Sequence, residues 1–190
     1  MPVLAKTFRG RLAAIALLAL ALRVVYVLSR RGNPVFGDAL IYWLDAKHVA
    51  AGDGFRHAFE NHPTAEHPPL HILLLALQDL VGINGYHEQK LLLCVVGTVT
   101  VVLVALLARR LAGDRAGLLA GGIAAVYPNL FMPDGTLMSE TLYLALLLGA
   151  LLAAHAYLGA DPSDVRGARR RLAAVGALVA LAALTRAEAV

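Results

Sequence analysis

Three side chains in the first polar segment have types and a spacing that could do chemistry. Asp38, Tyr42 and Asp45 stand at positions i, i+4 and i+7, so a helix that begins at Asp38 would place them on one face. A carboxylate beside an aromatic ring can accept a proton from a hydroxyl group while a sugar stacks on the ring. Aspartate is also a favoured N-cap residue, so Asp38 has a structural interpretation as well, and the two roles are compatible.

The histidines are concentrated in the same segment. All but one of the seven lie between His48 and His87. His67 and His71 have the i, i+4 spacing of a helical metal-ligand pair. However, the proline after His67 disfavours helical geometry at that residue, which favours solvated or capping histidines over a ligand pair. The sequence therefore predicts no certain cofactor, with a divalent metal as the alternative.

Further ionisable residues stand at the ends of later apolar runs. Glu140 opens one run, where a negative side chain suits the positive end of the helix dipole and a site role is equally compatible. Arg186 and Glu188 come after a short apolar run that follows Arg171. At bilayer depth, such side chains line a cavity or pair with each other. Arg186 and Glu188 are therefore expected either to line a cavity or to form an ion pair with each other.

The elements that must position these residues are helices in a membrane. Hydrophobic residues make up 59% of the chain, against about 45–50% in soluble domains. The net charge of +4 comes from lysines and arginines at the ends of apolar runs, which is typical of membrane helices and does not indicate a nucleic-acid partner. Long uncharged runs predict transmembrane helices at 12–28, 91–108, 117–132, 141–160 and 172–185.

One charge interrupts the first of these runs. Arg23 lies near the far end of the run, and a charge at the centre of a membrane helix costs about 2.5–3.5 kcal/mol on insertion scales. A long side chain lowers this cost by extending to the interface. We therefore expect Arg23 to reach the membrane surface, with a contact to a lipid phosphate as the alternative.

The polar loop at 30–89 holds two shorter helices. The pattern predicts one over 38–51, closed by Gly52, and another that begins at Pro68-Pro69 and ends at Gly82. At 1.5 Å per residue neither crosses a core of about 30 Å, so both should lie along the membrane surface. The predicted fold class is all-α integral membrane, one transmembrane domain over 1–190 with about five transmembrane helices and two interfacial helices.

Charge asymmetry predicts the orientation. Basic residues precede the first run and cluster at 109–115 and 166–171, so these segments should face the cytoplasm. The N-terminus is then cytoplasmic and the 30–89 loop extracytoplasmic. The chain stops directly after an apolar run, and we expect it to be the front part of a longer protein.

Four motifs, taken in order, resemble a known family. They are G-D-A-L-I-Y, H-P-P-L, M-S-E-T-L-Y-L and L-T-R-A-E-A. Together they resemble the front of a GT-C glycosyltransferase of the protein-mannosyltransferase and aminoarabinose-transferase type, over nearly the whole chain. The resemblance implies a hexosyl or pentosyl transferase of the cell membrane. Such an enzyme moves a sugar from a polyprenyl-phosphate carrier to an acceptor on the extracytoplasmic face, with inversion at the sugar carbon.

The resemblance also assigns roles to residues of this chain. It implies Asp38 as the catalytic residue, Glu140 as the second family acid and Arg186 as the basic position of the last motif. Three positions depart from the family pattern: Ala39 replaces a second acid, Lys90 an arginine and Ala187 a proline. The candidate substrate-binding residues are Tyr42, His67, Lys90, Arg186 and Glu188, and arginines at 30 and 31 are further candidates to hold the carrier phosphate.

Two other classes of protein remain open from the sequence. One is a polytopic transporter or lipid-handling protein without catalysis, whose acids would lie at the membrane midplane and not in an outer loop. The other is a truncated paralogue that has the fold and no activity. The sequence identifies neither the sugar nor the acceptor.

Overall fold

The computed structural model describes residues 7–60, 62–161 and 163–186, and the regular elements formed by these residues are helices. A single isolated pair, Arg56 and Pro63, has strand-like bonding there. The helices are α1 (Phe8–Ser29), α2 (Asp38–Ala51), α3 (Pro69–Leu80), α4 (Tyr86–Val126), α5 (Pro128–Phe131), α6 (Glu140–Leu158) and α7 (Val165–Ala183), with a 3-10 turn at Pro133–Gly135. The predicted all-α membrane fold class is confirmed.

Three helices, α1, α4 and α6, are long and apolar enough to cross a membrane. They contain the first four predicted spans, apart from residues at two span ends. The fifth, 172–185, lies mostly in α7, whose first two turns are rich in arginine. Because those charges leave only residues 172–183 of the helix uncharged, α7 is not among the three, and its crossing stays a prediction.

Helix α4 folds back on itself at Gly113. This glycine has φ 84°, in the left-handed region, and breaks the helix. A Cβ at Gly117 would lie 2.7 Å from the carbonyl oxygen of Ala105, and one at Gly121 2.9 Å from the Ala105 Cβ. The halves of α4 therefore pack against each other as an antiparallel pair, which corresponds to the second and third predicted spans.

The end of the third predicted span was placed too late. Helix α4 stops at Val126, whereas the hydrophobic pattern continues to Met132. Tyr127 is extended, with φ −73° and ψ 117°, because Pro128 excludes helical geometry at the preceding residue and starts α5. The chain therefore leaves the helix before Met132 and runs through α5 and the 3-10 turn to α6.

The loop helices have the predicted positions. Gly52 ends α2 in the left-handed conformation at φ 88°, and Pro69 occupies the first turn of α3. The two helices pack together in one buried cluster, to which α4 and the segment before α6 also contribute. Its residues are Tyr42, Ala46, Ile72, Leu75, Ala76, Leu93 and Leu137. The orientation of the two helices along the membrane surface stays a prediction.

Arg23 has a different environment from the one expected. Its side chain is fully buried, and its Nε lies 3.0 Å from Oδ2 of Asp134. Its Nη1 donates to the carbonyl oxygens of Ala19 and Ala125. The expectation that Arg23 reaches the surface or a lipid phosphate was wrong, because an acid far away in the chain neutralises it inside the bundle.

Candidate functional site

Tyr42 is the centre at which three parts of the chain meet. The side chain is buried, and its ring lies edge-on to His67 and His71, with centroids 4.7 and 5.1 Å away. Its hydroxyl lies 3.5 Å from the Ser139 hydroxyl. The start of α3 and the start of α6 therefore converge on one phenol group of α2.

The charges of two predicted acids and of the predicted arginine act on this phenol. Burial raises the pKa of Tyr42, and the hydrogen bond with Ser139 works against that rise. The negative charges of Asp38 and Glu140 raise the pKa further, and the positive charge of Arg186 lowers it. Asp38 and Arg186 are thus close enough to act on one group, although most of the chain separates them.

Glu140 and Arg186 form an ion pair. Their Oε1 and Nη1 atoms are 2.6 Å apart, and both side chains are partly exposed. Glu140 is the first residue of α6, as the dipole argument requires. The amide of Leu70 donates to the Leu184 carbonyl oxygen at 2.8 Å, so the end of α7 is fixed to the start of α3. The predicted site residue Glu188 lies outside the described residues.

Asp38 is the first residue of α2 and not its cap. Gly37, with φ 63°, occupies the N-cap position, and its carbonyl oxygen accepts from the Leu40 and Ile41 amides. The Asp38 side chain is exposed, and within the described part of the chain it has no hydrogen bond or ion pair. The N-cap interpretation was therefore wrong, because Gly37 occupies the cap position and the Asp38 side chain makes no capping hydrogen bond.

Asp45 belongs to a different environment from Asp38. It is buried, and burial raises its pKa while positive charge at His67, His57 and His48 opposes the rise. Its Oδ1 has no hydrogen-bond partner among the described atoms. Asp45 therefore faces the histidine-rich loop and not the exposed end of α2.

Lys90 lines a separate cleft of about 270 Å³ beside this cluster. It is buried, and its ammonium lies 4.0 Å from the Tyr86 ring centre. Arg30 lines the same cleft, 5.5 Å from the Tyr26 ring centre. Within the described residues Lys90 has no carboxylate partner, so this cleft offers an unneutralised cation.

A second cleft, of about 370 Å³, adjoins the first. The two share Tyr26, Thr136 and Met138 in their walls. Glu140 lines the second cleft and Lys90 the first. The structure therefore places Lys90 outside the cluster around Tyr42, in a neighbouring cleft that begins next to Asp38, at Ala39.

The predicted histidine pair does not lie on one helix. His67 precedes α3, whose cap is Pro68, and both His67 and His71 face the Tyr42 ring. The Nε2 of His71 instead lies 2.8 Å from the Leu137 carbonyl oxygen and donates to it. Helical geometry is absent at His67, because the proline that follows it disfavours the helical conformation there.

A different group in the 30–89 loop has the spacing of metal ligands. His57, Glu60 and His62 bring one ligand atom each within 4.8 Å of the others. However, Nδ1 of His57 accepts the backbone amides of Phe59 and Glu60, at 3.3 and 3.2 Å. In neutral His57 the proton then lies on Nε2, which leaves no free lone pair for a metal. This group does not fit a resident metal ion.

Asp134 is a buried, charged residue beside the site whose role the sequence interpretation missed. It is fully buried, pairs with Arg23 and accepts a 2.7 Å hydrogen bond from the Thr141 hydroxyl. Burial raises its pKa to about 6, against the opposing effects of Thr141 and Arg23. The signal was present: a charge inside an apolar run requires a partner, and the connection before Glu140 carries one acid, Asp134, and no base.

These features define the class of protein: an all-helical integral membrane protein with a polar, charged site where loop helices pack on one end of the bundle. The family described as dolichyl-phosphate-mannose-protein mannosyltransferase matches residues 66–190, more than half of the chain. The chain belongs to this family of GT-C glycosyltransferases, which confirms the resemblance. No curated protein and no solved structure matches this chain.

The family places the chain among membrane glycosyltransferases of the mannosyltransferase type, which use polyprenyl-phosphate-linked sugars. The matched range contains His67, Lys90, Glu140 and Arg186, and it begins after Asp38 and Tyr42.

Proposed function

We propose that this chain forms the donor-binding and catalytic part of a glycosyltransferase that moves a hexose or pentose from a polyprenyl-phosphate carrier to an acceptor hydroxyl on the extracytoplasmic face. The observation that carries the proposal is the ion pair of Glu140 with Arg186, whose charges act on Tyr42 together with that of Asp38. These residues come from three segments, and they lie next to a cleft that contains a buried lysine.

Asp38 is the proposed general base. Its carboxylate is exposed and has no partner within the described chain, so it is available to an incoming hydroxyl group. The base takes the hydroxyl proton as the acceptor oxygen attacks the anomeric carbon. The bond from that carbon to the phosphate oxygen breaks, and the phosphate leaves with the bonding electrons. A general base contributes about 10²- to 10⁴-fold to such a step, and direct displacement inverts the anomeric centre.

Lys90 is the proposed contact for the leaving phosphate, with Arg30 as the second cation of the cleft. Positive charge held where negative charge develops stabilises the transition state. Arg186 is less suited to this role than the family pattern implies, because Glu140 already neutralises it at 2.6 Å. We assign Glu140 and Arg186 to fixing the geometry of the site, with Tyr42 and His67 at its wall.

The orientation in the cell membrane is also proposed. Arg109 stacks on the Phe8 ring at 4.1 Å, and Arg110 and Arg171 line one cleft. The start of α1, the turn of α4 and the start of α7 therefore share one basic end. The positive-inside rule supports a cytoplasmic position for that end. The cluster around Tyr42 would then face outward.

The test uses the full-length protein in membrane vesicles with a panel of labelled polyprenyl-phosphate sugars. We expect transfer by the unmodified protein and at least a roughly hundredfold loss in Asp38→Asn, within the range for a lost general base. Asp53→Asn is the matched control, an exposed acid of the same loop outside the cluster. Transfer that Asp38→Asn leaves unchanged would refute the general-base role. No transfer from any donor would refute the enzyme and direct the work to transport assays.

A further inference from the structure

The segment before α6 contains a residue in a disfavoured backbone conformation. Leu137 has φ 53°, and within the described ranges it is the single non-glycine residue with positive φ. A leucine is disfavoured there because its Cβ approaches the following carbonyl oxygen. Such a conformation persists only where surrounding contacts hold it.

His71 provides the polar contact that holds Leu137. Its side chain is fully buried, and its Nε2 donates to the Leu137 carbonyl oxygen at 2.8 Å. The Leu137 side chain is itself buried in the cluster that contains Tyr42 and Ile72. Burial lowers the pKa of His71 to about 4, so the ring is neutral at physiological pH and carries one N–H. That N–H is the donor in the hydrogen bond to the Leu137 carbonyl oxygen.

The left-handed turn at Leu137 determines how the chain enters α6. Two residues later, Ser139 is buried with its hydroxyl near that of Tyr42. Glu140 follows directly and pairs with Arg186. A standard conformation at Leu137 would send the next residues in another direction and separate these contacts.

We propose that His71 is a positioning residue of the site: its hydrogen bond to Leu137 holds the left-handed turn that places Ser139 and Glu140 beside Tyr42. His71 does not act on the substrate in this scheme. The inference deepens the proposed function and rests on it only for the expected effect on sugar transfer. Its geometric part is measured without activity.

The experiment measures how well position 139 is protected from a thiol reagent. A cysteine-free form of the full-length protein, with Cys94→Ala among its changes, carries Ser139→Cys and is treated with a maleimide in detergent. The labelling rate is compared between His71 variants. His71→Gln keeps an N–H donor that can reach the carbonyl, whereas His71→Leu has a similar size and no donor. We expect labelling about tenfold faster or more in His71→Leu, the effect of leaving a buried carbonyl unbonded, and near-parental labelling in His71→Gln.

A second pair of variants tests the strain directly and is informative if His71→Leu folds poorly. Leu137→Gly and Leu137→Ala remove the same packing, but only glycine adopts positive φ freely. In the His71→Gln background we expect slower labelling in Leu137→Gly than in Leu137→Ala. Equal rates in this pair, or the same rate for His71→Leu and the parent, would overturn the inference.

Sugar transfer is then measured with the same His71 variants in the protein that retains Ser139. We expect kcat to fall in His71→Leu and to recover in His71→Gln, with the KM for the carrier little changed, because the carrier phosphate lies in the Lys90 cleft. Changed labelling without transfer in any protein, including the parent, would leave the inference standing and refute the proposed function. Unchanged labelling together with sugar transfer by the parent protein would refute the inference and leave the proposed function standing.

Discussion

Asp38 and Asp134 differ in exposure and in pairing, and this difference indicates different roles for them. Asp38 is exposed and unpaired within the described chain, so its carboxylate can meet a substrate. Asp134 is fully buried, paired with Arg23 and bonded to Thr141, so its carboxylate is already occupied. A proton acceptor for an incoming hydroxyl group must be accessible. The proposed chemistry therefore belongs to Asp38 and the structural role to Asp134.

Lys90 is the residue on which the proposed phosphate contact depends. Lys90→Met should raise the KM for the polyprenyl-phosphate donor by roughly 10- to 150-fold, the effect of losing a hydrogen bond to a charged group. Lys47→Met is the matched control, because Lys47 also lies over an aromatic ring but pairs with Asp79 outside the cleft. Steady-state kinetics over a range of donor concentrations checks the prediction, and equal effects of the two variants would contradict it.

His71 should make folding stability depend on pH. Its pKa is about 4 in the folded protein and about 6.5 when unfolded, so the unfolded chain binds the extra proton between these values. Stability from this residue is therefore complete above pH 6.5 and falls as the pH falls toward 4, by about 2 kcal/mol at pH 5. Unfolding measured from pH 7.5 to 5 should show a smaller decrease in His71→Gln. Parallel pH profiles for the two proteins would show that His71 is not the group responsible.

At the scale of elements, one buried ion pair connects helices that are distant in sequence. Arg23 of α1 reaches Asp134 after α5, and Asp134 reaches Thr141 of α6. Gly97 of α4 packs against the pair so closely that a Cβ there would lie 2.6 Å from Asp134 Oδ2. The pair therefore fixes the segment that leads to Glu140.

Removing one member of this pair should be costly. Asp134→Leu leaves the Arg23 guanidinium buried and uncompensated, with an expected loss of about 3–5 kcal/mol. The double variant Arg23→Met/Asp134→Leu should recover much of that loss. Asp114→Leu is the control, since it breaks the exposed pair with Arg109 and should cost about 1 kcal/mol or less. Unfolding in detergent checks the order, and a double variant less stable than Asp134→Leu would contradict it.

At the scale of the whole molecule, polar chemistry and positive charge occupy different ends. The loop helices and the start of α6 gather around Tyr42, while Arg109, Arg110 and Arg171 lie at the opposite helix termini. In a membrane enzyme with a lipid-linked donor, this arrangement would keep the reaction on one side of the bilayer.

The orientation is tested by labelling intact cells with a membrane-impermeant maleimide. In a Cys94→Ala background, Asp53→Cys should be labelled, because the 30–89 loop is predicted to face outward and Asp53 is exposed. Ser163→Cys, in the exposed connection before α7, should be labelled only after the cells are permeabilised. The reverse pattern would invert the proposed topology and place the site in the cytoplasm.

The sequence by itself determined the local elements of this protein. Apolar runs, prolines and glycines predicted the bounds of α2 and α3 and most of the long helices, because these signals act over a few neighbouring residues. Ordered motifs also sufficed to identify the family. The N-cap at Gly37 and the helix end at Val126 were each missed, since the hydrophobic pattern does not report the backbone geometry of single residues.

Only the tertiary structure decided which residues become partners. Arg23 with Asp134, Glu140 with Arg186, and His71 with Leu137 join positions far apart in the chain. Each pairing depends on how the helices cross and on which groups burial leaves to be satisfied. No local pattern carries that information. The residue types at the site could therefore be predicted from sequence, whereas their neighbours, and hence which cation remains available for a phosphate, required the fold.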